Sequence, residues 1–361
     1  MRGSQFSRVA EVPSAVSIRV INPLLDHRWD DLVARHPRAS VFHQRGWLQA
    51  LARTYNYEPL VVTNAAEGES LGDGLVLCRV SSWITGTRLV SLPFSDHCDP
   101  LLNDSSDSAE LMNWLRDEGS RQHLKYIELR PLLPFQLPYD GLRPAGSFCF
   151  HELDIRPSLE QIFRGLHKDS IQRRIRRAEK ENLAYEAGCT RKLADEFYRL
   201  LMMTRRRHEL LPQPRSWFAN LIEGMGDRIQ IRVARKNETP IAAMLTLRHG
   251  GSVVYKYGCS DESFHNLGGM PFLFWKLIEE SRASGAATID FGRSDVNNKG
   301  LITFKDRFGT TRKSLTYYRY SDSGKAEPTM TWNPQVIRWC LSILPDTLSS
   351  TAGRILYRHM G

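Results

Sequence analysis

Long apolar segments are missing from this sequence of 361 residues. The longest apolar run near the C-terminus, residues 336–344, is interrupted by Arg338 and stopped by Pro345. It is far shorter than the roughly 20 residues that a membrane-spanning helix needs. Residues 1–7 also lack the apolar core of a signal peptide. These absences predict a cytoplasmic protein that does not cross a membrane.

Paired or clustered cysteines are also absent. The six cysteines stand far apart and form no C-x-x-C pair: Cys78, Cys98, Cys149, Cys189, Cys259 and Cys340. Zinc sites and disulfide frameworks need close and repeated spacings of such residues. The sequence therefore predicts reduced, mostly buried thiols and no metal site.

Acidic residues are fewer than basic ones. The chain has 49 lysines and arginines against 40 aspartates and glutamates, a formal net charge of +9. A positive excess of this size suits an anionic partner such as a phosphate, a nucleotide, a nucleic acid or a membrane surface. It is equally typical of a surface that is merely soluble, so the charge narrows the list of partners without choosing among them.

Two similar cycles of predicted elements organise the chain. Residues 1–15 are predicted to form a flexible arm, and a proline- and glycine-rich segment is predicted to end the first cycle near residue 146. Each cycle has helices, then a run of strands, then one helix and one strand. The pattern predicts two mixed α/β lobes, residues 16–146 and 147–325, followed by a tail of residues 326–361.

The segment of residues 290–308 concentrates polar chemistry after a strand. The strand is predicted to stop at Gly292, and Gly300 is expected to reset the backbone before an amphipathic turn. Charged groups at the end of a strand suit a binding cleft, although a solvated loop is the simpler alternative. The candidate residues in this segment are Asp290, Arg293, Asp295, Phe304 and Lys305.

A strongly basic helix is predicted at residues 170–181. Ile171, Ile175 and Ala178 form its buried stripe, which leaves Arg173 and Arg177 on a wet face. Such a face is usually only solvated. Here few acids neutralise it, and this favours a phosphate-rich ligand, which the pattern alone does not identify as nucleotide or RNA.

Arg207 ends a later predicted helix, where the helix dipole alone could account for a cation. Tyr255 and Tyr257 lie on a predicted strand and are expected to share one face, with Lys256 opposite. Ordinary sheet packing explains such a pair of tyrosines most of the time. A hydroxyl that reaches a cleft is the functional alternative.

Two loops complete the candidates. Residues 95–99 read Ser-Asp-His-Cys-Asp, but neighbouring side chains diverge and cannot form a catalytic triad with each other. A polar loop that lines a cleft and contributes Asp96 is the favoured interpretation. Gly268 and Gly269 precede a helix and could hold a pyrophosphate on free backbone N–H groups, although glycines are equally common in plain turns.

Three motifs, together with Phe197-Tyr198 followed by Thr204 and Arg207, resemble the FemAB-like aminoacyl and acyl transferases of the GNAT superfamily, a branch that includes BioF2-like and CelD-like acetyltransferase domains. The first is His-Lys at 167–168 followed by Arg-Arg-Ile-Arg-Arg-Ala-Glu-Lys at 173–180. The second is Tyr-Lys-Tyr-Gly at 255–258. The third is Asp-Phe-Gly at 290–292 followed by Gly-Leu at 300–301 and Phe-Lys at 304–305.

The resemblance implies two GNAT-like mixed-sheet lobes in tandem, an α/β (α+β) fold with a cleft between the lobes. It implies transfer of an acyl or aminoacyl group to an amine on a cell-envelope precursor or an exopolysaccharide amino sugar. It places Lys305 near the transferred ester, and Arg207 with Tyr255 or Tyr257 near the phosphates of the acceptor. The donor is acyl-CoA or aminoacyl-tRNA. The usual coenzyme A motif is altered by His265 and Met270, so both donors stay open.

These observations together predict an N-acyltransferase that needs no metal. Lys305 is the candidate cation, Asp290, Asp295 or Asp96 orients the amine or accepts its proton, and Phe304 lies beside the substrate. The residues expected to hold phosphates are Arg173, Arg177, Arg207 and Arg293. Lys305 and the arginines of the basic helix are expected to face one crevice.

Expected partners are a phosphate-bearing donor, which could be a tRNA, an amine acceptor, and the inner membrane surface as a peripheral contact. Two other readings stay open. One is a non-catalytic binder of nucleic acid or of an anionic surface, whose affinity would fall steeply with salt. The other is a degenerate transferase that serves as a scaffold in an envelope-polymer pathway.

Overall fold

A computed structural model describes residues 18–103, 105–133, 141–321 and 346–360. The predicted flexible arm and the first part of the predicted tail lie outside these residues. In the described part of the chain, twelve strands form one mixed sheet, and helices pack against it.

The first cycle of elements begins the chain. Its helix α1 buries Trp29, Leu32 and Val33, which are spaced to share one helical face. The bounds of the cycle are β1 Arg19–Ile21, α1 Arg28–Arg35, α2 Arg45–Tyr55, β2 Glu58–Thr63, β3 Leu75–Val80, β4 Arg88–Val90, α3 Ser105–Arg121 and β5 Ile127–Leu129.

The second cycle is longer and repeats the same order. Its buried helix stripe of Ile171, Ile175 and Ala178 is confirmed, although the helix opens with a π-turn at Lys168–Gln172. The bounds are β6 Arg143–Asp154, α4 Leu159–Gly165, α5 Arg173–Lys180, β7 Ala184–Gly188, α6 Arg191–Arg207, α7 Arg215–Met225, β8 Ile229–Lys236, β9 Thr239–His249, β10 Ser252–Ser260, α8 Gly269–Ala283, β11 Thr288–Asp295, α9 Lys299–Asp306 and β12 Thr311–Tyr320. A last helix, α10, spans Asp346–Met360.

The order of the strands in the sheet is nearly symmetric: β1-β2-β3-β4-β5-β12-β6-β11-β10-β9-β8-β7. Each half has antiparallel strands that end in one parallel pair, β4 with β5 and β10 with β11. A helix makes each parallel crossover, α3 in the first half and α8 in the second. The prediction of two mixed-sheet lobes is confirmed. We call the half that contains β1 to β5 the N-lobe and the half that contains β6 to β12 the C-lobe.

The two lobes are joined at the centre of the sheet and by a shared core. β12 pairs with β6 along most of its length and with β5 through Tyr318–Tyr320. Helices α2 and α7 approach closely at Gly46 and Gly224, where a Cβ on Gly46 would lie 2.1 Å from the Gly224 carbonyl oxygen. Beside them the rings of Trp47 and Trp217 meet edge-on at 5.2 Å, both fully buried. Burial of aromatic side chains on this scale makes the lobe contact part of the folded core.

Two local predictions for residues 290–308 are wrong. β11 does not stop at Gly292 but continues to Asp295, because Gly292 adopts a φ of +70° at a bulge in the pairing with β6. Gly300 does not reset the backbone, since it lies inside α9. The start of α9 is capped instead by the Asn298 side chain, which accepts from the N–H of Leu301 at 3.1 Å.

Candidate active site

Strand β10 carries a bulge at Lys256 in the middle of the C-lobe. The pairing with β9 jumps from Tyr255 opposite Thr246 to Tyr257 opposite Leu245, so Lys256 has no partner in the ladder. The prediction that the two tyrosines share a face is therefore wrong. Tyr255 packs on Phe274 at 4.6 Å on one side of the sheet, and Tyr257 belongs to the core on the other side.

The parallel pairing of β10 with β11 is short and ends beside this bulge. It covers Ser252–Val254 against Thr288–Asp290. Beyond the paired residues, β10 lines two cavities. Tyr255 and Gly258 line the first, which we call the C-lobe pocket, and Lys256 and Tyr257 line the second, the interlobe pocket.

The C-lobe pocket has a volume of about 390 Å³ and lies at the start of α8. Among the described residues, its lining includes several basic side chains and no acidic one: Arg174, Arg207, His208, His265 and Arg307. The first residues of α8 add backbone N–H groups that lack partners within the helix. A pocket with this balance suits an anionic group such as a phosphate.

The mouth of the C-lobe pocket is held by hydrogen bonds at the end of β10. Arg207 donates to the carbonyl of Ser260 at 3.1 Å, and the His265 ring meets the Ser260 hydroxyl at 2.8 Å. Burial, together with the positive charge of Arg207, lowers the pKa of His265. The imidazole is therefore mostly neutral near pH 7, and it can meet a ligand as a donor or an acceptor.

The two glycines before α8 have different surroundings. Gly268 has a φ of +78°, and a Cβ there would lie 2.4 Å from the Arg174 carbonyl oxygen. Only glycine allows this close approach of the basic helix to α8. Gly269 lines the C-lobe pocket directly. Their predicted role in cofactor binding stays a prediction.

The C-lobe pocket also has apolar lining residues. Tyr255, Phe304 and Met270 are among them, and the ring of Phe304 contacts those of Phe274 and Phe308 in the core. The side chain of Tyr255 covers Gly258, where a Cβ would lie 1.8 Å from the tyrosine hydroxyl. The lining thus suits a ligand that has both an anionic group and an acyl chain.

The interlobe pocket is larger, about 530 Å³, and both lobes and α10 line it. In the part of the chain that the structure describes, its charged lining has seven cations and two acids: Arg88, Lys125, Arg130, Arg205, Lys256, Arg293 and Arg319, with Asp96 and Glu128. Glu128 is held between Arg130 at 2.8 Å and Arg319 at 2.6 Å. Burial would raise the pKa of Glu128, but these two arginines outweigh it and lower the pKa. The remaining excess is positive, which suits an anionic ligand here too.

Asp96 meets Lys256 at the point where the two lobes touch. Lys256 Nζ lies 2.8 Å from Asp96 Oδ2, and the hydroxyl of Tyr317 donates to the Asp96 carbonyl at 2.6 Å. Burial raises the pKa of Asp96, but Lys256, Arg293 and Lys305 lower it by more. Asp96 therefore stays ionised and is a weak base, suited to orienting a ligand rather than to removing its proton.

His97 and Asp290 form a second buried contact between the lobes, with His97 Nε2 at 2.9 Å from Asp290 Oδ2. Within the described residues, the other ring nitrogen, Nδ1, has no hydrogen-bond partner. Burial lowers the pKa of His97, but the hydrogen bond to Asp290 and the surrounding carboxylates raise it further, to above its ordinary value. The imidazolium form is favoured, and the pair ties the N-lobe loop to β11.

Lys305 is buried on α9 beneath the bulge of β11. Its Nζ donates to the carbonyls of Gly292 and Arg293, both at 3.0 Å. Burial lowers the pKa of Lys305 to about 8, although Asp96 and Asp290 act against this shift. The lysine braces the backbone beside both pockets and lines neither of them.

The predicted site residues fall into three groups. One group lines the two pockets: Arg207, Tyr255, Phe304 and Gly269 in the C-lobe pocket, with Asp96, Tyr257 and Arg293 in the interlobe pocket. A second group, Asp290 and Lys305, is buried beside them, and Gly268 caps α8. A third group lies at the surface outside both pockets: Arg173, Arg177 and Asp295. The expectation that Lys305 and the helix arginines line one crevice is thus wrong, and Arg174 rather than Arg173 reaches the C-lobe pocket.

Sequence reasoning missed several residues of the site. The sequence pattern marks Lys256 only as the residue opposite two tyrosines, because nothing in the sequence predicts a bulge. The pattern gives His97 no role, because its sequence neighbours cannot form a triad with it and its partner, Asp290, is 193 positions away. Arg205 lines the interlobe pocket within a run of three arginines that offered no way to choose among them.

Within the described residues, no group of histidine, cysteine and acidic side chains could hold a metal ion. Among the same residues, no helix is both long and apolar enough to span a bilayer.

Comparisons with known proteins agree with this geometry. Residues 166–304 match the sequence profile of the acetyltransferase (GNAT) domain. No curated protein matches the chain in sequence. The crystal structure of FemX superposes with a TM-score of 0.65 at 15% identity, over 82% of this chain and 95% of that one.

Two further structures share the fold. The C-terminal domain of a putative lysylphosphatidylglycerol synthetase from Agrobacterium fabrum has a TM-score of 0.56 at 17% identity, covering 83% of this chain and 93% of that one. A tandem GNAT protein from the clavulanic acid biosynthesis pathway has a TM-score of 0.52 at 13% identity, covering 87% and 100%. At these identities the likeness establishes a tandem GNAT fold.

Proposed function

Because residues 166–304 match the acetyltransferase (GNAT) domain and the chain has a FemX-like tandem GNAT fold, we propose that it acylates or aminoacylates an amine on a cell-envelope precursor or exopolysaccharide amino sugar. The observation that carries the proposal is the division of two pockets by one strand. Tyr255 and Gly258 line the first pocket, and Lys256 and Tyr257 line the second. Two substrates held on the two sides of β10 would meet at its bulge.

The C-lobe pocket is the proposed donor site. Both candidate donors, acyl-CoA and aminoacyl-tRNA, carry phosphates and an activated acyl group. Arg174, Arg207 and the start of α8 would hold the phosphate end, because no acid lies in the described lining and Glu262 approaches Arg207 only to 3.9 Å from outside it. The acyl end would lie against Tyr255 and Phe304. No metal is required for this arrangement.

The interlobe pocket is the proposed acceptor site. Arg205 lines it without a hydrogen bond or ion pair among the described residues, so this cation is available to a ligand. Arg293 stacks over Phe148 at 4.3 Å and lies 3.9 Å from Asp96. An acceptor that carries phosphate or carboxylate groups would be held by these cations, with its amine directed toward Asp96.

The reaction would be a direct transfer. The neutral amine attacks the carbonyl carbon, a tetrahedral oxyanion forms, the bond to the sulfur or oxygen of the donor breaks, and the proton of the amine passes to that leaving group. The chain contributes alignment of the two substrates and stabilisation of the oxyanion. The backbone N–H of Lys256 is a candidate donor to that oxyanion, because the bulge leaves this residue out of the β9 ladder. Lys305 would act by holding β11 in place.

Two relatives support the reaction class. FemX and the putative lysylphosphatidylglycerol synthetase share the fold, and the second is named for a lysyl derivative of a lipid. We propose a cytoplasmic location, with an envelope precursor as acceptor and the inner membrane close by.

Two arginine variants test the assignment of the pockets. The purified protein is incubated with acyl-CoA or charged tRNA and amino-sugar acceptors, and the product amine is followed by mass spectrometry. Arg207→Ala should raise the KM for the donor by about 10-fold or more, because a charged hydrogen bond contributes about 1.5–3 kcal/mol. Arg205→Ala should raise the KM for the acceptor instead.

Arg173→Ala is the matched control, because Arg173 lies on the basic helix but lines neither pocket. It should leave both constants unchanged. Absence of acyl transfer with every donor would refute the proposed reaction. Equal effects of Arg205→Ala and Arg207→Ala on the donor would refute the division into two sites.

A further inference from the structure

Large apolar side chains are exposed beside the mouth of the interlobe pocket. Trp83 is 89% exposed and Ile84 41%, both in the turn between β3 and β4. Ile355 is 55% exposed and Met360 41%, both on α10. Single exposed apolar residues are ordinary, but an almost fully exposed tryptophan within a group is not.

The β3–β4 turn and α10 are fastened to each other. The Ser82 hydroxyl meets His359 Nδ1 at 2.9 Å, and the Thr85 hydroxyl and Arg88 both donate to the His359 carbonyl, at 3.0 and 2.8 Å. The ring of Trp83 lies edge-on to that of His359 at 5.9 Å. These contacts hold the turn and the helix end as one surface.

Basic residues accompany the apolar ones on α10. Arg354 and Arg358 are exposed and four positions apart, so they share a helical face with Ile355 between them. Ile355 is in turn four positions before His359, which places it on the side that meets the turn. The only acid in α10 is Asp346 at its opposite end. The surface therefore combines apolar and cationic groups without a neighbouring carboxylate on the helix.

We propose that this surface, formed by Trp83, Ile84, Arg354, Ile355 and Arg358, docks on an anionic lipid bilayer. Tryptophan suits the boundary between headgroups and acyl chains, and arginines are attracted to anionic headgroups. A protein partner of matching charge would need a carboxylate-rich apolar face, whereas a bilayer supplies both features over any area.

The position of the surface gives it a purpose. Thr85, Tyr357 and His359 belong to the same turn and helix, and they line the interlobe pocket. Docking would bring the mouth of that pocket to the bilayer, where a lipid-carried acceptor could enter. This consequence rests on the proposed acceptor site, but docking itself does not.

Co-sedimentation with vesicles tests the docking directly. The full chain should bind vesicles of phosphatidylcholine with phosphatidylglycerol, bind phosphatidylcholine alone far more weakly, and release as salt is raised. Trp83→Ala combined with Ile84→Ala should weaken binding by about tenfold or more, because both apolar side chains would leave water on docking. Arg354→Glu with Arg358→Glu should have a similar effect.

Matched controls lie elsewhere on the surface. Leu25→Ala removes another strongly exposed apolar side chain, and Arg191→Glu with Lys192→Glu reverses two exposed cations on α6. Both should bind vesicles like the unaltered chain, and equal melting temperatures should confirm that all variants fold.

Absence of vesicle binding by the unaltered chain, or equal binding by the Trp83 variant and the controls, would overturn the proposal. So would a dimer in size-exclusion chromatography that the Trp83 variant abolishes, since the surface would then bind a second copy. Transfer to a water-soluble acceptor should be unchanged in the Trp83 variant. Loss of transfer with vesicle binding intact would count against the proposed function alone.

Discussion

The two parallel strand pairs of the sheet differ in what fills the space beyond them. In the C-lobe, β10 and β11 pair over three residues and then border the C-lobe pocket. In the N-lobe, β4 and β5 pair over two, and the chain's own loop follows on directly. The backbone of Cys98 forms an antiparallel β-bridge with that of Arg130, and the N–H of Arg130 donates to the Ser91 hydroxyl at 2.8 Å. The same arrangement of elements thus leaves an opening in the C-lobe, whereas in the N-lobe the loop of residues 91–99 fills the corresponding space.

The loop of residues 91–99 also contacts the C-lobe. The N-lobe loop that fills the gap delivers Asp96 to Lys256 and His97 to Asp290, both on C-lobe strands. A loop that is buried at its base and charged at its tip can only be stable if the other lobe supplies the counter-charges. The comparison teaches that the lobes have specialised: one keeps the proposed donor pocket, and the other provides a wall of the acceptor pocket.

Loss of Asp290 should have the largest effect on this arrangement. Asp290→Ala leaves two buried donors without their acceptor, the His97 ring and the backbone N–H of Gly292, so the free energy of unfolding should fall by about 1–3 kcal/mol for each donor. Chemical denaturation measures this change. Asp295→Ala, on the same strand but exposed, is the control and should have almost no effect. Equal stability of the two variants would mean that other contacts hold the loop of residues 91–99 in place.

The pH dependence of the same pair has a definite sign. Because the pKa of His97 is raised in the folded protein, its contribution to stability is complete below the unfolded value of 6.5 and is lost as pH rises through the folded pKa. The Asp290→Ala variant should lack this loss.

Lys305 should show a smaller effect of the opposite pH sign. Lys305→Met leaves the carbonyls of Gly292 and Arg293 without their donor and should lower the free energy of unfolding by about 1–3 kcal/mol. The pKa of Lys305 is about 8 when folded and 10.5 ordinarily, so the unaltered chain should gain stability as pH rises between these values. The variant should lack that gain. A Tm that is identical to that of the unaltered chain at every pH would contradict a bracing role for this buried amine.

The smallest expected effect is a difference in hydrogen exchange between the two parallel strand pairs when the donor binds. The donor that supports transfer, acyl-CoA or charged tRNA, should slow exchange in β10 beyond Tyr255 and at the start of α8. It should leave the N-lobe loop around Cys98 unchanged, because that loop already occupies its own gap. Equal protection of both regions would show that the lobes are not specialised in this way.

The repeated order of elements could be predicted from periodicity, because helix and strand patterns depend on local spacing. The stripe of Ile171, Ile175 and Ala178 is one case. Bulges were beyond such reasoning. The phase change at Lys256 and the continuation of β11 through Gly292 depend on neighbouring strands, which a local pattern does not contain.

The site was predicted unevenly for a related reason. Arg207, Arg293, Phe304 and Asp96 were selected by residue type and position, and each lines a pocket. The sequence pattern favours Arg173, whereas Arg174 on the same helix lines the C-lobe pocket. Only the packing of α8 against that helix decides which arginine reaches the pocket. Tail residues such as Tyr357 received no role, although α10 closes one side of the interlobe pocket.

The amino-acid sequence by itself determined the repeated α/β elements, the excess of positive charge and the family resemblance, since these follow from composition and short-range spacing. The tertiary structure decided which charges are neutralised, which lobe keeps an open pocket and where the two pockets meet. These properties depend on contacts between residues nearly 200 positions apart, such as His97 with Asp290, and on the exclusion of water from them.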